Sequence, residues 1–188
     1  MRRLDAPAAL AGQADTFALA AAAAARWFKK PGADAVASAR TARLRAAGWR
    51  DEAVSALKPA RGAKKGDAAD LSFALREAVE HAAAAVVEAA RQELPADKEL
   101  AAGAAALAAG AKSLAAALAA SGGARADALV DAKRWAGECE RRRRAVRADA
   151  HEDPAFVAAL TREKAADRLS RAAEALQRAV DVLGADLS

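Results

Sequence analysis

Tyrosine is missing from the 188 residues, and the other aromatic side chains come to only three tryptophans and four phenylalanines. Large side chains are therefore scarce, and any core must be filled mostly by small ones. A single cysteine, Cys139, excludes an internal disulfide and any zinc site built from cysteines, and it fits a reducing compartment. Proline occurs five times, which leaves long stretches unbroken. There is no Gly-rich phosphate loop, no Gly-x-Ser-x-Gly elbow and no dinucleotide fingerprint, so the common nucleotide and acyl-transfer chemistries have no sequence basis.

What the chain does have is alanine, roughly a third of all residues. Alanine is the best helix former because it loses no side-chain entropy, and it packs poorly on a pleated surface. The composition predicts an all-α protein in which helices approach closely, with Leu, Val, Phe and Trp as occasional knobs. The three tryptophans, Trp27, Trp49 and Trp135, are most simply core anchors. Thirty basic and 25 acidic residues give a net charge of +5, a mildly basic and mixed balance that a solvated helix surface produces without a polyanion partner.

At 19.2 kDa the chain suits one domain, or two small halves sharing a core. Its N-terminal stretch resembles a signal peptide, with Arg2 and Arg3 ahead of an alanine run. Asp5 and Asp15 interrupt that run, and the part after Phe17 is about one-third of a membrane span. The expectation is a first helix of a soluble, cytoplasmic protein with no transmembrane segment.

Breakers predict six long helices. The first runs from about Asp5 to Lys30 and stops at Pro31-Gly32. The second opens at Asp34 and ends near Lys58-Pro59, followed by a polar loop over residues 60–66. The third starts at Asp67 or Asp70 and continues to Leu94. After Pro95 a fourth runs to about Ala120, and Ser121-Gly122-Gly123 is a turn. The fifth spans about Arg125 to Ala150. Asp153-Pro154 reads as an N-cap followed by a first-turn proline, opening a sixth helix that reaches Leu183 and Gly184. In the last helix Leu169, Ala173, Leu176, Val180, Leu183 and Leu187 step by four and three, a seam suited to near-parallel bundle packing; Leu71, Leu75, Val79, Val86 and Ala90 form another in the third. Short turns favour antiparallel neighbours. The order reads as two three-helix repeats, about 1–94 and 95–188, within one domain.

Three acids of the sixth helix, Glu163, Asp167 and Glu174, fall at helical spacing about 120–160° around from the Leu169 seam. They either hold a cation with further acids from a neighbouring helix, Glu138 and Glu140 being the fifth helix's candidates, or they pair with Arg162, Arg168, Arg171 and Arg178. In the third helix Glu77, Glu80 and His81 offer one Glu-x-x-His-like group, but the second copy that a di-iron bundle needs is missing. His81 and His151 have no paired-ligand spacing, and Cys139 has no base at helical spacing. Four consecutive arginines, residues 141–144, point in four directions and form a collar rather than a readable face. A solvated helix comes first, contact with anionic lipid headgroups or a transporter's cytoplasmic loop second, and nucleic acid last, since no aromatic interleaving or binding motif accompanies them.

The stretches "GECERRRR", "HEDPAFVAAL" and "EKAADRLSRAAEAL" carry a resemblance to the PhoU-like family, closest to the small accessory proteins of Pit-type phosphate transporters. The resemblance implies two three-helix repeats, acidic metal-binding motifs on the bundle surface and a non-enzymatic role in regulating phosphate transport. Carried over, Glu163 and Asp167 match the sixth-helix motif with Glu174 as the trailing acid, and Glu138 and Glu140 fall where the fifth-helix motif belongs, with Ala136 replacing its first acid. The first repeat departs from the pattern, with Arg43 and Ala47 in the second helix and Arg76 in the third. The implied cofactor is a divalent or transition metal in the second repeat. The implied partner is a phosphate transporter or membrane-associated sensor, met at the inner membrane face, with homo-oligomers also expected. The alternative is a metal-free helical interaction module with an unrelated partner.

Overall fold

The computed structural model describes residues 6–57, 63–150 and 156–185, and these form six α-helices. They are α1 (Ala6–Lys29), α2 (Ala33–Leu57), α3 (Ala63–Arg91), α4 (Lys98–Ala119), α5 (Gly122–Ala150) and α6 (Phe156–Ala185). No strand occurs among the described residues, as the alanine content predicts. Helix α3 starts at Ala63, ahead of the expected Asp67 or Asp70. Ala63, Lys64 and Lys65 are good helix formers, and one glycine, at about 1 kcal/mol, does not stop them. Asp153-Pro154, His151, Leu187 and the Lys58-Pro59 boundary lie outside the described residues.

Two helix ends carry signals that a pattern search passes over. Helix α3 closes with Leu94 N–H donating to the Ala89 carbonyl (3.0 Å) and Glu93 N–H to that of Ala90 (3.3 Å), while Glu93 takes φ 51°. That is a Schellman closure with glutamate where glycine is usual, and buried Leu94 supplies its apolar contact. Asp97 caps α4, its Oδ1 accepting from Leu100 N–H (2.9 Å).

Side-chain and backbone contacts fix the directions. Asp97 N–H donates to the Phe28 carbonyl (2.8 Å), so the end of α1 meets the start of α4 and the two run antiparallel. Arg168–Glu88 and Arg178–Glu77 set α6 antiparallel to α3, while Ser170–Glu140 and Lys133–Asp181 set α5 antiparallel to α6. Each of α1, α2 and α3 packs on the other two, and so does each of α4, α5 and α6. Contacts of α1 with α4 and of α3 with α6 join these groups, leaving α2 and α5 outermost.

Both apolar seams face inward: Leu169, Ala173, Leu176, Val180 and Leu183 are buried, as are Leu71, Leu75, Val79 and Val86, with Ala90 half-buried. Phe17, Phe28, Leu107, Leu114 and Leu176 are among the large, fully buried side chains in a core whose majority is alanine. Trp27 is buried; Trp49 and Trp135 are half-buried, the former packed over Gly12. Two helices match a membrane span by length and composition. Pro7–Lys29 and Lys98–Ala119 are both long and apolar enough, although about half of the most apolar window of each (56% and 50%) is buried in the bundle.

Candidate functional site on the α5–α6 surface

The motif-bearing helices lie side by side, and their acids and arginines interlock. Each arginine of the 141–144 run points in its own direction, as consecutive positions 100° apart must. Arg141 turns back on Glu138 (Nε to Oε2, 2.7 Å). Arg142 joins Glu138 (2.8 Å) to Glu99 at the start of α4 (3.1 Å). Arg143 grips Glu140 with two nitrogens (2.7 and 2.9 Å) and reaches Asp167 on α6 (3.5 Å). Arg144 extends into solvent at the edge of Glu140 (3.5 Å). Ser170 on α6 donates its hydroxyl to Glu140 (2.6 Å) and completes the link.

The five acids singled out in the sequence fall into three places. Glu138 faces α4 through Arg142. Glu140 and Glu174 line an open cleft of about 480 Å³ between α5 and α6, together with Arg141, Arg144, Ser170 and Gln177. Glu163 and Asp167 border a separate hollow of about 110 Å³ with Arg143 and Arg147. Among the described residues no three His, Cys, Asp or Glu side chains gather at metal-holding distance. Arginines are seated on three of the five acids, Glu138, Glu140 and Asp167, as they are arranged. The alternative of pairing within α6 needs correcting. Arg162, Arg168 and Arg178 reach across to Asp97, Glu88 and Glu77 on other helices, and Asp167 takes its arginine from α5.

Electrostatics follow this geometry. The hydrogen bonds from Arg143, reinforced by Ser170, pull the Glu140 carboxyl down to about 2. The Arg141 and Arg142 guanidinium groups lower Glu138 in the same way. A carboxyl lowered on folding stabilises the protein above its unfolded value, near 4.5, and loses that contribution as pH falls toward about 2. Acid titration of stability should therefore steepen between pH 4.5 and about 2 in the native chain. In Glu140→Gln that limb flattens, as followed by circular dichroism; an identical limb in both proteins would contradict the Arg143 pairing.

The remaining chemistry-bearing residues stand outside any such cluster. Cys139 is buried under the α5–α6 contact, its thiol 3.6 Å from the Leu169 carbonyl, and burial pushes it up to about 12, which suits a packed thiol and not a nucleophile. Burial, with Arg168 and Arg171 nearby, lowers the His81 pKa. Its neighbours Glu77 and Glu80 are taken by Arg178 and Arg43. Missed by sequence reasoning was the Asp97–Arg162 pair (2.7 Å), 65 positions apart in the chain and visible only once α4 and α6 lie parallel. A scan against protein-family models matches none to this chain, and a search of curated proteins likewise finds no match.

Proposed function

We propose that the chain is a non-enzymatic, PhoU-like regulator that docks through its helical surface on a phosphate transporter or membrane-associated sensor at the cytoplasmic face. The observation that carries this reading is the meeting of the two motif-bearing helices. Glu140 of α5 and Asp167 of α6, the acids aligned with the PhoU-like motifs, converge on one guanidinium, Arg143. A six-helix bundle with α2 and α5 outermost offers long, rigid surfaces for a partner. In a strain lacking the gene, phosphate uptake should change at least about twofold, with restoration by the intact gene. Uptake indistinguishable from the parent strain would refute regulation of phosphate transport.

A second reading, a metal-free interaction module with an unrelated partner, is favoured by the arginines seated on Glu138, Glu140 and Asp167. Elemental analysis of tag-free protein purified without chelators tests the cation. With the arginines in place we expect well under one equivalent of any divalent or transition metal. About one equivalent, lost in Asp167→Ala, would mean that the arginines yield and the acids form the ligand set that the family resemblance implies.

A further inference from the structure

Helices α1 and α4 lie antiparallel at the surface between the outer helices, and together they present a face almost without charge. From Ala6 to Ala25 the only ionisable side chain is Asp15; from Leu100 to Ala119 the only one is Lys112. The outward residues, among them Ala11, Ala18 and Ala22 on α1 and Ala105, Ala109 and Ala116 on α4, are exposed or half-buried. A helix that is apolar on all sides belongs in a buried position, because a surface helix ordinarily turns charged residues outward. Here only about half of each helix's most apolar window is covered by the bundle.

The two charges identify what covers the rest. The contact between Asp97 and the Phe28 carbonyl sets the α1–α4 register. Asp15 then lies level with Gly110, about 3 Å along the axis from Lys112 at 1.5 Å per residue. Both are exposed, and neither is ion-paired to another described residue. A bilayer is a poor occupant, since two unpaired charges near mid-face would enter hydrocarbon. We propose that this face is a homodimer interface, with the twofold axis parallel to the helices, α1 of each copy on α4 of the other, and Asp15 paired with the partner's Lys112. That rotation preserves height, so it forms both ion pairs at once and leaves neither charge unmatched. A face about 33 Å long and two helices wide covers about 600 Å² per copy, or about 1,200 Å² in all, the lower end for a specific dimer. Lys29 and Lys98 come together at one end, where solvent exposure and salt screen them. The inference is independent of the phosphate-transport reading and stands or falls by a different measurement.

Sedimentation velocity and light scattering of the full chain at tens of micromolar should report twice 19.2 kDa. Asp15→Lys alone and Lys112→Glu alone should each weaken self-association at least tenfold, while leaving the helical circular dichroism of the folded chain at room temperature unchanged, since both sites are exposed. An equimolar mixture of the two variants should dimerise again. In the mixed dimer the lysine introduced by Asp15→Lys faces the glutamate introduced by Lys112→Glu, while the unaltered Lys112 of the first variant faces the unaltered Asp15 of the second. A monomeric native chain at about 100 µM overturns the proposal, whether the face then binds another protein or a vesicle of neutral lipid. Dimers indifferent to both reversals, or a mixture that stays monomeric, overturn it as well.

Discussion

Asp97→Ala is expected to destabilise the protein by about 3 kcal/mol, which for a chain of this size lowers the melting temperature by roughly 6–12 °C. Two losses combine. The first is the α4 cap, in which Oδ1 accepts from Leu100 N–H; removing an aspartate cap costs about 1 kcal/mol. The second is the Arg162 pair, held at 2.7 Å with side chains only 20% and 10% exposed for Arg162 and Asp97. At that degree of burial the orphaned guanidinium, and not only the lost attraction, sets the penalty. Asp149, 3.8 Å from Arg162 and largely exposed, replaces little of it. Asp97→Asn separates the two contributions, because its amide oxygen can still cap α4 while the charge opposite Arg162 is gone. Thermal melts should therefore rank native above Asn above Ala. A melt for Asp97→Ala within about 2 °C of native would show that neither interaction matters to the fold.

Asp97 also shows where the sequence stops being legible. The helices themselves follow from local rules: alanine propensity lengthens them, and the four-three spacing of Leu169, Ala173, Leu176 and Val180 names the buried side of α6 before any neighbour is known. The same rule places Glu163, Asp167 and Glu174 away from that seam, and they lie on the α5–α6 surface, bordering its cleft and hollow. Partners are another matter. An arginine's reach is long enough to choose among several helices, and Arg168, with no acid one turn away on its own helix, bonds Glu88 eighty positions away. Which acid it finds depends on the register of α3 against α6, a tertiary quantity with no trace in the spacing of α6. Helix ends fail for a related reason. Glu93 takes a backbone conformation normally marked by glycine, so the closure of α3 carries no readable residue. The arginine run is half legible: its four directions follow from helix geometry, whereas the acids on α4 and α6 that await Arg142 and Arg143 do not.

The second large effect lies where α4, α5 and α6 meet. Leu176 is fully buried, and its Cδ2 lies 2.6 Å from where a methyl on Gly110 would stand, with Trp135 Cβ 3.2 Å from the same point. Gly110 is there because nothing larger fits between Leu176 and α5, not because the backbone needs its freedom. Leu176→Ala should cost about 3–4 kcal/mol through lost burial and the cavity left behind, or roughly 7–14 °C in the melt. Gly110→Ala places a methyl inside contact distance; the overpacking, about 2 kcal/mol, outweighs the roughly 1 kcal/mol that alanine contributes to the helix. Combined, the changes oppose each other, because the new methyl enters the volume that the leucine vacates. The double variant should be more stable than Leu176→Ala alone, with a coupling of about 1.5–2 kcal/mol in a double-mutant cycle. Urea unfolding of the four proteins measures this, provided the m-values agree. Strict additivity would mean that α4 and α6 are not in van der Waals contact at this level, and the close packing ascribed to the small residues of α4 would have to be given up.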